Sequence, residues 1–285
     1  MTKGRTLVLG GGGITGIAWE SGVLAGLLDN GVTVDQADKI IGTSAGSFVG
    51  AVLANGYDMR DYYYELDERR DANDRATMSS DIYRLWQNAF VVGRDDAKKV
   101  GQMMGDIVYT RPSHVDLSER KQAIRQRLGD VVWQDNLEIT AINAKTGATG
   151  TFNSKSGVTL EDAVTASGAV PGIWPHIRLN NSDWIDGGMI SPTNAMLAEG
   201  ADTIIIIAPL ADGLGMMPGA YDDAEKLSQH SHVLVIRPDS KSQAEIGDNI
   251  YNPTNILKIG NAGYLQGQAL AQHIHKDYSE WVTQK

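Results

Sequence analysis

The chain predicts an α/β fold in which a mostly parallel central sheet lies between two helical layers. Three observations predict it. Thr6-Leu7-Val8-Leu9 is a short apolar run that passes into glycines and then into a stretch with helical apolar spacing. Lys39-Ile40-Ile41-Gly42 repeats the pattern, with a second apolar helical stretch behind it. Thr203-Ile204-Ile205-Ile206-Ile207-Ala208 is apolar almost throughout, as expected of a strand covered on both faces. Two βα units in succession require a parallel sheet with helices on its faces, which is a three-layer α/β/α arrangement.

Composition sets the outer bounds. The 285 residues suffice for a large buried core, and we read residues 1–285 as one domain. A formal net charge of −10 argues against nucleic acid as a partner. It argues equally against electrostatic docking on anionic membranes, a local patch aside. There is no cysteine, hence no disulfide framework and no thiolate metal site. Met1 to Arg5 leads straight into the first strand without a long apolar run. Neither a signal peptide nor a membrane span is expected, and the cytoplasm is the expected address.

The elements follow in order. The first helix carries Ile14, Ile17, Ala18, Val23, Leu24, Leu27 and Leu28 at helical spacing and closes at Asn30-Gly31. The second strand and its helix run from Lys39 to Asn55-Gly56. Residues 58–130 break the βα alternation and read as a helical insertion or cover. Its helices are expected over Asp58–Arg70, Asp81–Val92, Asp95–Val108 and Leu117–Leu128. Ile82, Leu85, Trp86, Ala89 and Phe90 form one helical face. That face reads first as ordinary packing and second as a lid or lipid-facing surface. Strands return at 137–142 and 149–152, followed by a helix over 160–168 and a stiff loop through Pro171 and Pro175. Trp184-Ile185-Asp186 ends a further strand, and Pro192-Thr193-Asn194 opens another helix. After the isoleucine strand, residues 212–219 read as a mobile loop and 233–236 as a strand. Pro253 opens the final helix.

Three glycine-bearing motifs carry chemistry. Gly42-Thr43-Ser44-Ala45-Gly46 places a serine at a tight strand-to-helix turn, where side chains two before and two after it would collide. Such a turn lifts the hydroxyl to a helix N-terminus, although the same pentapeptide also occurs as a plain turn. Gly11, Gly13 and Gly16 fit Gly-x-Gly-x-x-Gly. A dinucleotide site would need an acid at the end of the second strand, and Asp35 and Asp38 precede that strand. The turn instead offers free backbone N–H groups to an anion or an oxyanion. Asp186-Gly187-Gly188, taken alone, is either a turn or a catalytic acid. The six histidines supply no triad, because Ser44 follows only the second strand and no histidine sits in a strand-end motif. His273 and His275 face apart on a helix, and His230 and His232 lack a third ligand, so no metal and no cofactor is expected.

In this order and spacing, Gly11-Gly12-Gly13-Ile14-Thr15-Gly16, Gly42-Thr43-Ser44-Ala45-Gly46 and Asp186-Gly187-Gly188 resemble the patatin-like phospholipase family. The loop Ala166 to Pro171 is similar to that family's proline-containing segment, and the tail from Asn252-Pro253 to Gly267 looks like that of bacterial members. The resemblance implies a Ser–Asp dyad without histidine: Ser44 as nucleophile, Asp186 as base, and the N–H groups of Gly11, Gly12 and Gly13 as oxyanion hole. Gly16, Gly42, Gly46, Gly187, Gly188 and Pro171 match supporting positions. Thr15 stands where the family has Arg or Lys, which removes a positive charge beside the site. The implied function is a serine acyl hydrolase that cleaves lipid or other acyl esters through acyl-Ser44, with peripheral membrane contact. The alternative is a non-catalytic lipid- or protein-binding module on the same fold.

Overall fold

Apolar alternation and glycine turns build the first half of the sheet. Strand β1 (Arg5–Leu9) feeds helix α1 (Gly13–Leu28), and β2 (Lys39–Thr43) feeds α2 (Ala45–Ala54). The structure is a computed structural model that describes residues 4–68, 76 and 78–283. Met1, Thr2 and Lys3, and the Arg69-Arg70 end of one expected helix, lie outside the described residues. Four helices occupy the expected insertion: α3 (Met59–Glu68), α4 (Ser80–Gly93), α5 (Ala97–Thr110) and α6 (Leu117–Leu128). Side chains of Ser79, Asp96 and Asp116 accept backbone N–H groups at the starts of the last three. Next come β3 (Leu137–Asn143), β4 (Thr149–Phe152) and α7 (Leu160–Ser167). Then follow β5 (Ile177–Leu179), β6 (Ser182–Asp186), β7 (Thr203–Ile207) and α8 (Ala220–Leu227). The chain closes with β8 (His232–Ile236), α9 (Ser240–Ile246) and α10 (Ile256–Asp277).

The sheet order is β5-β6-β3-β2-β1-β7-β8, with β4 paired to β3 off this path. Strands β3, β2, β1, β7 and β8 run parallel, whereas β4 and β6 are antiparallel to β3. The register along β3 matters most. Strand β4 pairs Ile139 to Ile142, β2 pairs Leu137 to Thr140, and β6 pairs Ala141 to Asn143. A strand has two edges, so β2 and β6 share the edge that β4 leaves. They approach each other along it from opposite directions, with Thr43 opposite Thr140 and Asp186 opposite Ala141.

Alternation sorts the core into layers. Leu7, Leu9, Ile40, Ile205 and Ile207 pack with α1, α2 and α10. Val8, Ile41, Ile204 and Ile206 pack with Ala220, Ala224 and Leu227 of α8. Val100, Met104 and Ile107 of α5 join Ile82 and Ala89 of α4 over Ile142 and Ile185, so the α4–α5 face packs on the sheet. Helices α1 and α10 meet backbone to backbone. A Cβ at Gly26 would stand 2.2 Å from the Tyr264 carbonyl, and one at Gly263 would stand 2.4 Å from that of Trp19.

Three expectations change. The helix expected after Pro192 is a single 3-10 turn, Ala195–Ala198, entered through Asn194 at φ 52°. Residues 212–219, expected as a mobile loop, form a folded turn with Met217 buried and Gly213 tight against the Met217 carbonyl. The strand ending at Asp186 is half of a hairpin whose turn is Asn180-Asn181, both at positive φ. Among the described residues, no helix is long and apolar enough to cross a membrane.

Candidate active site

The turn after β2 brings Ser44 to the end of the sheet. Ser44 has φ 50° and ψ −111°, a strained conformation for a residue with a side chain. The glycines beside it are required by space: a Cβ at Gly46 would lie 2.2 Å from the Leu9 carbonyl, and one at Gly42 would lie 2.7 Å from the Gly46 carbonyl. Three bonds fix the turn. The Gly46 N–H donates to the Gly10 carbonyl at 2.9 Å, the Ser44 N–H to Ser167 Oγ at 2.8 Å, and the Ser47 hydroxyl to the Ser44 carbonyl at 2.6 Å.

The meeting of β2 and β6 along β3 places the acid. The Ser44 hydroxyl donates to Asp186 Oδ2 at 2.7 Å. The Gly188 N–H donates to the other oxygen, Oδ1, at 2.7 Å, and the Asp186 N–H is held by the Ala169 carbonyl at 3.0 Å. Asp186 is 3 % exposed. Burial raises its pKa to about 6, against the lowering effects of the Ser44 and Gly188 bonds and of the positive charge of Arg120. Gly187 allows the close passage of this turn over Thr140, whose hydroxyl oxygen would lie 2.4 Å from a Cβ there.

A buried polar network lies under the pair. Thr43 Oγ1 and Thr140 Oγ1 are 2.9 Å apart. The Asn194 amide donates to Thr43 Oγ1 at 3.1 Å and to the Gly187 carbonyl at 3.0 Å. Sequence reasoning took Asn194 as a helix opener and passed over Ser167, Thr43 and Thr140. Their polarity at fully buried positions is the signal that marks the last three.

The glycine loop after β1 supplies donors on the other side. Gly13 sits at φ 61°, and Gly16 donates its N–H to the Gly12 carbonyl at 2.8 Å. The Gly11 N–H donates to the Pro192 carbonyl at 2.8 Å. Of the three amides expected to face an oxyanion, that of Gly11 has this acceptor, whereas those of Gly12 and Gly13 have none among the described residues. Glu20 braces the loop from below, its Oε1 accepting the Gly10 N–H at 2.9 Å. Burial holds the Glu20 carboxyl well above the usual range.

Gly11, Gly12, Gly13, Ser44, Asp186 and Gly188 line one cavity of about 320 Å³. Its remaining walls are mainly apolar and include Trp86, Val170, Leu210, Leu214 and Ile250. Trp86 is tied to the proline loop, its Nε1–H donating to the Pro171 carbonyl at 3.2 Å. None of the six histidines lines the cavity. The arrangement can remove a proton from a serine, hold negative charge against backbone amides, and shelter an apolar chain beside both.

Comparison with known proteins shows the family. The lysophospholipase NTE1 of Yarrowia lipolytica is 26% identical over 207 residues, and that of Saccharomyces cerevisiae 27% over 203. Each alignment covers 70% of this chain but only 12% and 10% of the respective relative, so the chain spans a small part of those proteins. The crystal structure of VipD from Legionella pneumophila aligns over 95% of this chain and 67% of its own, with a TM-score of 0.47 and 12% identity. That of the type III effector ExoU aligns over 94% and 52%, with a TM-score of 0.42 and 16% identity. The family model described as patatin-like phospholipase matches residues 7–199, well over half of the sequence and the stretch that holds both motifs of the pair, so the chain belongs to the patatin-like phospholipase family.

Proposed function

We propose that the protein is a serine acyl hydrolase that cleaves fatty-acyl esters of lipids with Ser44 and Asp186 as a catalytic dyad. The observation that carries this reading is the 2.7 Å bond from the Ser44 hydroxyl to Asp186 at the floor of a largely apolar cavity. The family and the named activity of the lysophospholipase relatives support the same substrate class.

The steps follow from the geometry. Ser44 Oγ attacks the ester carbonyl carbon as Asp186 Oδ2 takes its proton. The carbonyl oxygen becomes an oxyanion and accepts from the amides of Gly12 and Gly13 at the N-terminus of α1, whose dipole favours negative charge. Collapse expels the alcohol, which takes the proton back from Asp186, and leaves acyl-Ser44. Water then gives a proton to Asp186 and attacks the acyl carbon, releasing the fatty acid and restoring the serine. An ordinary carboxylate is a weak base, and the raised pKa of Asp186 strengthens this one. The second oxygen stays on the Gly188 amide, so the acid keeps one orientation throughout.

A fluorophosphonate probe tests the reading. The expected result is stoichiometric labelling at Ser44, fatty acid release from an ester panel, and loss of both in a folded Ser44→Ala protein. A folded wild-type chain that neither labels nor releases acid belongs to the binding-module alternative.

A further inference from the structure

A second, smaller cleft of about 30 Å³ meets the main cavity at the nucleophile. Gly13, Ser44, Val170 and Tyr251 line both, and of these four only Ser44 and Tyr251 carry a hydroxyl. Tyr251 thus stands with Ser44 on the boundary between the two spaces.

The segment that carries Tyr251 is fixed against the glycine loop. The Thr15 N–H donates to the Ile250 carbonyl at 3.2 Å, and the Tyr251 N–H donates to Asn249 Oδ1 at 3.0 Å. The ring lies on Gly13, where a Cβ would stand 3.2 Å from Tyr251 Cδ1. It also packs against the apolar cluster that holds Val170 and Trp174. The ring is therefore held, whereas its hydroxyl has no hydrogen-bond partner among the described residues. Nor is that oxygen one of the polar atoms sealed inside the protein. Burial raises the pKa of the phenol, the Asp186 carboxylate raises it further, and Arg120 lowers it. The hydroxyl sits in the field of the proposed base and stays a neutral donor where Asp186 is charged.

A tetrahedral centre formed on Ser44 has four substituents. One is Oγ itself, the oxyanion turns to the amides of Gly12 and Gly13, and the acyl chain needs the large apolar cavity. The leaving oxygen takes the fourth direction, along the boundary with the smaller cleft, where Tyr251 stands. We propose that Tyr251 is a further catalytic residue, its phenol donating a hydrogen bond to the leaving-group oxygen as the ester C–O bond breaks. The inference rests on the hydrolase reading. Asp186 returns to the departing alcohol the proton it took from Ser44, and Tyr251 keeps its own. The phenol stabilises the negative charge that builds on the oxygen before that proton arrives. The more basic the leaving alcohol, the more this help is worth.

Two esters of one fatty acid test the assignment, an ethyl ester and a trifluoroethyl ester. Their alcohols are similar in size and far apart in basicity. Both esters form the same acyl-enzyme, so the difference between them in kcat/KM reports the step in which the alcohol leaves. The quantity measured is kcat/KM for the trifluoroethyl ester divided by that for the ethyl ester. Tyr251→Phe is expected to raise this ratio at least about tenfold over the wild type. Phenylalanine keeps the ring, so a residue that only packs would leave the ratio where it was, and an unchanged ratio would overturn the proposal. Fluorophosphonate labelling at Ser44 reports whether the variant is folded. A variant that fails to fold would make the hydroxyl a structural group and would overturn the proposal too. If the wild-type chain hydrolyses neither ester, the hydrolase reading fails and this proposal with it. Turnover of both esters with an unchanged ratio removes the role of Tyr251 alone.

Discussion

The proposed mechanism rests on one carboxyl group, that of Asp186. Burial pushes its pKa to about 6, so the proposed base is charged only above that pH. Ester hydrolysis should therefore fall about tenfold per pH unit below about pH 6. A rate that stays flat between pH 5 and 8 would remove Asp186 from the role of base. The same shift has a consequence for stability with a definite sign. The unfolded chain releases this proton near ~4, whereas the folded chain keeps it to about 6. The group's contribution to stability is full below the unfolded value and is lost as pH rises through the folded one. Asp186→Asn should thus be inactive yet more stable than the wild type by roughly 3 kcal/mol at pH 8. Near pH 4 the gain should vanish, and urea titrations at the two pH values measure the difference.

Among the elements, α1 and α10 approach backbone to backbone, because glycines remove the side chains that would hold them apart. Gly263→Ala places a methyl group 2.4 Å from the Trp19 carbonyl, which no rotamer can relieve. The helices must separate, at a cost of roughly 1–3 kcal/mol, read as a lower urea midpoint. Because α1 begins at Gly13, the same displacement should slow ester hydrolysis in the protein that remains folded. Elements of this kind were legible to different degrees. The two βα units were visible because an apolar run, a glycine turn and a periodic helix are all local signals. Strand β5 was not, since Ile177-Arg178-Leu179 becomes a strand only by pairing with β6. Its available signal was Asn180-Asn181, a dipeptide suited to a two-residue turn with positive φ at both positions. The turn at 195–198 was read as a longer helix because Pro192 and Asn194 look like helix openers, while the network under the dyad claims the Asn194 side chain.

Across the whole molecule, residues that are remote in sequence meet because the sheet brings strand ends together. Ser44 and Asp186 were identifiable from motif order, but Ser167 and Asn194 were not. Their roles depend on which loop lies under which strand, and that is not encoded within a few residues. The bond made by the Gly11 amide is hidden for the same reason, since its acceptor, Pro192, lies far along the chain. The end-to-end encounter of β2 and β6 on one edge of β3 also governs how the pair endures. The gap between hydroxyl and carboxylate is measured off on a ruler of backbone bonds, not spanned by a hinge. Neighbouring loops can lengthen, shorten or exchange their side chains while that interval stays constant. Heat would separate nucleophile from acid only when it melts the ruler itself.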